Sequence, residues 1–291
     1  MGIGIALAVA GAIAFSGKAI IVKLAYRHGV DAVTLIMLRM LFALPFFALM
    51  AWWAGRGRPA LTRRDVAGVV GLGFCGYYLS SFLDFVGLQY ISASLERLIM
   101  YLTPTLVLVL GWLLYRKAVG RAQALGMAIS YGGVLLVFGH EVRLEGAQTA
   151  LGALLVFASA ASYAIYLVYS GELVKRLGAL RLVGLATSVA CLCCVLQFVL
   201  LRPLPSALAV APAVVWLSLL NATLCTAVPV LLVMMAIERI GPALAAQTGM
   251  IGPLSTIAMG AWLLGEPFTG WTLAGTAAVL AGIFVVTRAA R

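Results

Sequence analysis

The sequence predicts an all-α integral membrane protein of ten transmembrane helices, built from two five-helix repeats of opposite orientation. Three observations lead to this fold class: the composition, an internal repeat and the distribution of Lys and Arg. Of the 291 residues, 64% are hydrophobic and only 10% are charged, whereas soluble domains carry about 25% charged residues. A soluble globular protein is therefore excluded, and the apolar stretches are expected to cross a lipid bilayer.

An internal repeat divides the chain into two copies. Pro104 corresponds to Pro253 and Gly133 to Gly282, and both pairs are separated by 149 positions. Further pairs keep this spacing: Gly111 and Gly260, Gly126 and Gly275, Ile91 and Ile240, Leu95 and Leu244, and Val137 and Val286. Each copy holds five apolar stretches of about 20 residues, the length that spans a bilayer. Because five is odd, the second copy is expected to enter the membrane from the opposite side.

Apolar length and turn-forming residues set the limits of each predicted span. The first repeat, residues 1–139, is expected to hold spans at 3–27, 32–54, 65–88, 93–115 and 122–139. The second repeat, residues 150–291, is expected to hold spans at 151–177, 182–201, 213–237, 243–264 and 271–287. A polar loop at 140–149 connects the repeats. Turns with Gly, Pro or Arg separate the spans at 55–59, 116–120, 203–205, 241–242 and 266–267.

The positive charges indicate the orientation of the chain. The formal net charge is +11, but the charges fall in short turns between spans and do not form a nucleic-acid-binding patch. One side of the predicted membrane carries Arg56, Arg58, Arg63, Arg64, Arg116, Lys117, Arg121, Lys175, Arg176, Arg181, Arg239, Arg288 and Arg291. The other carries only Lys23, Arg27, Arg97, Arg143 and Arg202. The positive-inside rule therefore places both termini in the cytoplasm of a multi-pass protein of the inner or plasma membrane.

Enzymatic and metal-dependent chemistry is not expected. Cys191 and Cys194 have CxxC spacing, but no second pair and no nearby His accompany them. His28 and His140 are the only histidines, and both lie at the ends of predicted spans. The sequence therefore predicts no cofactor, no metal site and no catalytic residues.

Polar and aromatic residues within the spans predict a central cavity, because such side chains are costly against lipid. Tyr77 and Ser81 share a helix face with Asp84, and Ser94 shares one with Tyr101. The candidate cavity residues are Ser16, Tyr77, Ser81, Ser94, Tyr101, Tyr163, Tyr166, Thr226 and Gln247. The alternative is that these groups only form hydrogen bonds between packed helices.

Charged residues within the spans are a second candidate site. Lys18 is the deepest cation, and we expect it to snorkel or to pair with a backbone carbonyl group. Asp84 with Glu96 and Arg97 could form a gate or a proton-sensitive pair. For Glu96, a local ion pair that fixes the turn is the simpler expectation.

Three prolines lie inside predicted spans. Pro104, Pro229 and Pro253 each remove a helix hydrogen bond and so free a carbonyl group one turn earlier. The freed carbonyl groups could bind an ammonium group and the kinks could act as hinges. The alternative is a static kink in which neighbouring groups satisfy the carbonyl oxygens.

Four short motifs resemble the EamA family of the drug/metabolite transporter superfamily. They are the Leu38-Arg39 run, the turn from Gly87 to Ser94, Thr103-Pro104 and the stretch from Trp262 to Pro267. The sequence departs from the family pattern at Phe15-Ser16-Gly17-Lys18 and at Lys117. The resemblance implies a ten-span exporter of small metabolites, and it implies that Arg39 is a clamp between spans.

The expected function is secondary transport by alternating access around the central cavity. The resemblance implies amino acids as a common substrate class, and the aromatic residues of the predicted pore favour aromatic amino acids among them. The expected partners are this small molecule and the lipid bilayer, with protons as a further candidate and a monomer as the expected state. The alternatives are proton-coupled efflux of drugs or other metabolites and, in another class, a passive channel.

Overall fold

The computed structural model describes residues 2–116, 118–146, 148–249 and 251–289. Within these ranges, the side chains at 144–145, 234, 237–238, 241–244, 246–247 and 289 lie outside the description, so Gln247 does too. All regular secondary structure in the described part is helical, which confirms the all-α class. Nine helical segments there are long and apolar enough to cross a membrane, and Gly252–Leu264 is a shorter apolar segment.

Thirteen α-helices follow one another along the chain. The first seven are α1 (Gly2–Tyr26), α2 (Ala32–Gly55), α3 (Arg63–Gly73), α4 (Ser80–Gly87), α5 (Ala93–Met100), α6 (Thr103–Tyr115) and α7 (Arg121–Glu145). The rest are α8 (Gln148–Leu177), α9 (Ala179–Leu201), α10 (Pro212–Ala222), α11 (Val228–Gly249), α12 (Gly252–Met259) and α13 (Gly270–Ala289). A 3₁₀ turn at Leu204–Ala207 precedes α10.

Side-chain caps begin several of these helices. Asp31 accepts hydrogen bonds from the backbone of Val33 and Thr34 and begins α2, and Ser92 begins α5 by accepting one from Leu95. Burial alone would raise the pKa of Asp31, but hydrogen bonds from Thr34 and Arg202 outweigh it and lower that pKa below its usual value. Each cap satisfies a backbone donor that would otherwise lack a partner at the helix end.

Two π-helical turns occupy equivalent places in the two copies. Phe74–Leu79 joins α3 to α4, and Thr223–Ala227 joins α10 to α11. They begin 149 positions apart, which is the spacing of the sequence repeat. Tyr77 and Thr226, both candidate cavity residues, lie in these turns. Single π turns are rare and are frequent at functional sites.

Repeat-related helices pack against each other in antiparallel pairs. In the pair of α7 with α13, a Cβ atom at Gly126 would lie 2.6 Å from the carbonyl oxygen of Gly282. A Cβ atom at Gly133 would lie 2.6 Å from that of Gly275. Residue numbers rise along one helix as they fall along the other, so the two helices run in opposite directions. The absence of side chains at these four positions is what allows the backbones to approach.

The helices around the predicted cavity form two groups. In the first, named the α1 group, α1 packs against α10, α11 and α12. In the second, named the α8 group, α8 packs against α3, α4, α5 and α6. A corresponding contact lies within each group. Ile240 packs on Gly4 in the α1 group, and Ile91 packs on Gly152 in the α8 group.

One predicted boundary differs from the structure. The turn expected at 241–242 is helical, and α11 continues to Gly249. The helix ends instead at Gly249, before α12, just as α5 ends at Met100, before α6. Pro253 and Pro104 therefore lie in the first turn of a helix, where a missing backbone N–H leaves no hydrogen bond unmade within that helix.

Candidate functional site

Four charged side chains meet between the α1 group and the α8 group. Lys18 Nζ lies 2.6 Å from Asp84 Oδ2 and 3.3 Å from Glu96 Oε1. Arg97 Nε lies 4.0 Å from Glu96 Oε2. All four residues are buried, and Glu96 has no exposed surface. These residues are named the charge cluster, and it contains two basic and two acidic side chains.

The charge cluster corrects two sequence-based expectations. Lys18 does not snorkel or pair with a carbonyl group, because its ammonium group is buried and bonds to Asp84. Glu96 is not confined to a local ion pair, because it also contacts Lys18 of α1. No partner for Lys18 is visible from its own helix, since Asp84 is 66 positions away along the chain. Only the packing of α1 against α4 and α5 brings the charges together.

One face of α5 and the following turn points at the α1 group. Arg97 donates to Thr256 Oγ1 at 3.1 Å and to the carbonyl oxygen of Phe15 at 3.1 Å. Tyr101 donates to the carbonyl oxygen of Gly249 at 2.8 Å. Ser94 lies on the same face and donates to Glu266 at 2.9 Å. The structure therefore places Ser94 and Tyr101 on one face, as their spacing predicts, and that face contacts protein in this conformation.

The carbonyl oxygens freed by two of the prolines are bonded by protein hydroxyl groups. Pro253 frees the carbonyl group of Gly249, which accepts the hydrogen bond from Tyr101. Pro104 frees the carbonyl group of Met100, which accepts a hydrogen bond from the hydroxyl group of Thr103 at 2.6 Å. Neither oxygen is open to a ligand in this conformation. These prolines therefore interrupt the helix at places where a protein hydroxyl group bonds to the freed carbonyl oxygen. Pro229 lies two residues after the π turn Thr223–Ala227.

Ser16 and Lys18 point to different neighbours. Ser16 Oγ donates to the carbonyl oxygen of Gly252 at 2.9 Å, whereas Lys18 bonds to Asp84 of α4. The two residues lie about 200° apart around α1 at 100° per residue, and they accordingly contact different helices. Gly252 is closely covered, because a Cβ atom there would clash with the hydroxyl group of Tyr101.

Arg39 joins α2 to the second π turn. Its Nε and Nη2 atoms donate to Thr226 Oγ1 at 3.3 and 3.1 Å, and its guanidinium group lies 5.2 Å from the ring centre of Phe85. Thr226 in turn donates to the carbonyl oxygen of Asn221 at 2.8 Å. Arg39 Nη1 is buried and has no hydrogen-bond partner among the described residues. The contact fits a clamp between helices and leaves one donor unused.

Three tyrosines form an aromatic cluster within the α8 group. The ring centres of Tyr77 and Tyr166 are 5.0 Å apart, and those of Tyr163 and Tyr166 are 5.5 Å apart. The hydroxyl group of Tyr77 donates to that of Tyr166 at 3.3 Å. The structure thus brings three predicted cavity residues together, although here they contact one another.

The expected face of Tyr77, Ser81 and Asp84 is not continuous. Tyr77 contacts α8, while Asp84 contacts Lys18 of α1. Ser80, and not Ser81, bonds to Ser159 of α8, with the two hydroxyl oxygens 3.0 Å apart. The π turn Phe74–Leu79 holds more residues per turn than an α-helix, so the residues after it are rotated relative to the α-helical expectation.

A cavity of about 650 Å³ lies at one end of the helix bundle. The residues at that end include segment 88–92, so it is named the 88–92 end. The cavity is lined by residues that include Lys23, Arg27, Ser92, Ser94, His140 and Glu266. Of the predicted cavity residues whose side chains the structure describes, only Ser94 lines it. Other described members of the set lie in the aromatic cluster or in contacts between helices.

Glu266 is a site residue that the polarity of the spans did not reveal. Its carboxylate accepts hydrogen bonds from the backbone N–H of Ala93 at 2.7 Å and of Ser94 at 3.3 Å. These are unpaired donors in the first turn of α5, where the helix dipole also favours a negative charge. The signal available in the sequence was Ser92, which begins α5. The backbone N–H groups in the first turn of a helix lack partners within that helix and need an acceptor from elsewhere. Glu266 thereby ties the turn before α13 to α5.

Replacing Glu266 with glutamine should weaken this tie. The amide cannot provide the negative charge that the first turn of α5 favours, so we expect a loss of about 0.5–2 kcal/mol in the free energy of unfolding. Thermal unfolding in detergent micelles would measure it. The matched control is Glu172→Gln on the exposed face of α8. An equal effect of both substitutions would contradict the tie.

Among the described residues, no group of three or more His, Cys, Asp or Glu side chains is placed to hold a metal ion.

The chain is similar to known membrane transporters over its whole length. The family model described as EamA-like transporter family matches residues 2–139 and 150–288. The Uncharacterized transporter YcbK of Bacillus subtilis (strain 168) is 31% identical over 263 residues, covering 88% of this chain and 83% of that protein. The Uncharacterized transporter YetK of the same organism is 23% identical over 285 residues, covering 97% and 86%.

More distant similarities agree with this assignment. The WAT1-related protein At1g68170 of Arabidopsis thaliana is 27% identical over 195 residues, covering 57% of this chain and 55% of that protein. A solved crystal structure has a TM-score of 0.65 at 19% identity and covers 99% of this chain and 97% of its own, which shows the same fold. With an all-helical bundle, buried charges between helix groups and family matches in both halves, the chain belongs to the EamA-like transporter family.

Proposed function

We propose that this membrane transporter is a secondary exporter of small metabolites, with amino acids, aromatic ones included, as its substrates. Its mechanism is alternating access, in which the α1 group and the α8 group move relative to each other. The observation that carries the proposal is the charge cluster, which joins the two groups by a buried ionic contact. Family membership supports transport of a small molecule. The helix directions, the contacts between the two groups and the side chains near the middle of the spans support the mechanism and the substrate.

The antiparallel helix pairs support two halves of opposite orientation. If the halves had the same orientation, α7 and α13 would run parallel, because they are the last spans of the two copies. Their glycine contacts run in opposite directions instead. Inverted halves are the arrangement in which one structure can open to either side by exchanging the conformations of its repeats.

Contacts between the two groups at the 88–92 end support a closed gate there. Lys23 Nζ donates to the carbonyl oxygen of Ile91 at 2.6 Å. The hydroxyl group of Tyr26 donates to the carbonyl oxygen of Phe85 at 2.6 Å. The charge cluster lies deeper on the same helices. Alternating access requires that the site is never open at both ends at once, and these contacts would close this end.

The distribution of Lys and Arg supports a cytoplasmic location for the opposite end. The loops at that end include segments 56–64 and 116–121, which are rich in Lys and Arg. The positive-inside rule then assigns the 88–92 end to the outside of the cell or inner membrane.

The side chains near the middle of the spans support an amino-acid substrate. Tyr77, Tyr163 and Tyr166 offer aromatic faces that can contact an aromatic ring or an ammonium group. The unused Nη1 donor of Arg39 can bind a carboxylate, which arginine does well because its guanidinium group is planar and always charged.

Counterflow in liposomes tests the proposed function. Vesicles with purified protein are loaded with unlabelled phenylalanine and diluted into medium with a trace of labelled phenylalanine, without an ion gradient. A saturable carrier gives uptake that overshoots and then decays. A channel gives no overshoot, and uptake equal to that of protein-free vesicles across a panel of amino acids would reject this substrate class.

Replacing Tyr101 with phenylalanine should slow transport without preventing folding. The substitution leaves the carbonyl oxygen of Gly249 without its donor and removes a contact between the two groups. A net loss of about 0.5–1.5 kcal/mol per hydrogen bond shifts the balance of the two states by roughly 2–10-fold. Initial counterflow rates would measure the change. Tyr169→Phe on the exposed face of α8 is the matched control, and equal rates for both variants would contradict the prediction.

A further inference from the structure

Three carboxylate oxygens in the charge cluster lack a hydrogen-bond donor. Asp84 Oδ2 is bonded by Lys18, but Asp84 Oδ1 and both oxygens of Glu96 have no hydrogen-bond partner among the described residues. Arg97 approaches Glu96 to 4.0 Å and directs its donors to Thr256 and Phe15 instead. A fully buried carboxylate anion without a donor is strongly disfavoured.

A proton is the ligand that best fits these oxygens. Asp84 and Glu96 lie close together, since each has an oxygen atom within 3.3 Å of Lys18 Nζ. A proton on Glu96 converts it to a neutral group that can donate to the free oxygen of Asp84. A metal ion fits poorly, because Lys18 and Arg97 would repel it and the oxygen atoms are too few for Na⁺ or Ca²⁺.

The charged and titratable groups around the pair come from several helices. Lys18 faces it from α1 and Arg97 from α5. Tyr26 of α1 and Arg39 of α2 interact electrostatically with Asp84. Cys225 of the second π turn lies near Lys18 and Arg97, is buried and is uncharged in its thiol form. Asp84 and Glu96 are therefore the carboxylates of this region that lack a full set of donors.

The cavity at the 88–92 end comes close to the pair along α1 and α5. Lys23 and Ser94 line the cavity at that end. Lys18 lies five residues before Lys23, which is about 7.5 Å along the helix axis. Ser94 is two residues before Glu96. A modest separation of α1 from α5 would therefore connect the pair to the cavity.

We propose that Asp84 and Glu96 bind one shared proton when the gate at the 88–92 end closes. The proton comes from the cavity, binds a Glu96 oxygen and is donated in a hydrogen bond to Asp84 Oδ1. Lys18 keeps its contact with Asp84, so closure and proton binding stabilise each other. This inference rests on the proposed function for the gate, and the proton site itself is tested without transport.

Closure and protonation are linked. When the gate opens, the carboxylates meet water, and hydration favours their ionised forms. Closure removes that water and favours the shared proton. A higher proton concentration at the 88–92 end therefore favours the closed gate, and the proton returns to the same side when the gate opens.

Infrared spectroscopy tests the proton site without any substrate. Purified protein at neutral pH should show the carbonyl stretch of a buried carboxylic acid. Glu96→Gln and Asp84→Asn should each remove or shift this band, and Glu172→Gln should leave it unchanged. A spectrum without the band, or a band that survives in both cluster variants, would overturn the proposal. Because no transport is measured, failure of the amino-acid assignment does not affect this result.

Discussion

Replacing Lys18 with methionine is expected to destabilise the protein by about 3–5 kcal/mol, because removing one partner leaves buried charges uncompensated. Asp84 and Glu96 would face each other without the ammonium group that lies 2.6 and 3.3 Å from their oxygens. Methionine has a side chain of nearly the same length as lysine, so the loss of stability reflects the missing charge and not a cavity. Thermal and denaturant unfolding of the purified protein in micelles would measure the loss.

A compensated variant separates the charge effect from packing. If the carboxylate of Asp84 is the cause, combining Lys18→Met with Asp84→Asn should restore most of the lost stability, since residue 84 is then neutral and Arg97 still lies beside Glu96. Lys175→Met on the exposed surface is the control and should change the free energy of unfolding by less than about 0.5 kcal/mol. A single Lys18→Met variant as stable as this control would show that the cluster does not hold the groups together.

Replacing Gly133 with leucine is expected to prevent close packing of α7 against α13. A Cβ atom at Gly133 would lie 2.6 Å from the carbonyl oxygen of Gly275, and backbone atoms cannot move aside as a flexible side chain can. Overpacking costs about 1–3 kcal/mol where side chains can adjust, so the upper part of that range or failure to accumulate is expected here.

The neighbouring residue provides a matched control for this substitution. A Cβ atom at Gly132 would meet nothing within 4 Å, although it lies one position away on the same helix. Gly132→Leu should therefore leave expression and unfolding close to those of the unmodified protein. Size-exclusion profiles and thermal unfolding would compare the two variants. Similar behaviour of Gly132→Leu and Gly133→Leu would contradict the close contact between these helices.

Features that depend on distance along the chain were predictable from sequence. The bilayer requires about 20 apolar residues per span, so the apolar lengths predict helices in the right places, and nine long apolar helices are present in the described part. Gly126 and Gly133 lie one heptad apart and so on one face, which predicts a contact with another helix. The structure shows that the partner is α13.

The candidate site was predictable only in part. The face formed by Ser94 and Tyr101 follows from helical spacing and is present. Tyr77 and Asp84, which were expected on one face, contact α8 and α1 respectively, because the π turn at Phe74–Leu79 rotates the residues that follow it. Hydropathy does not reveal such a turn, because the residues within it are as apolar as those of the α-helix around it.

By itself, the sequence determined the all-helical membrane class, the long apolar helices and the family, because these depend on composition and on spacing along one chain. Only the tertiary structure decided which charges meet. Lys18 has no acidic partner on its own helix, and its contacts with Asp84 and Glu96 arise where α1 lies beside α5 and its side chains reach α4. A buried charge is stable only beside a compensating group, and the identity of that group depends on which helices are neighbours in space.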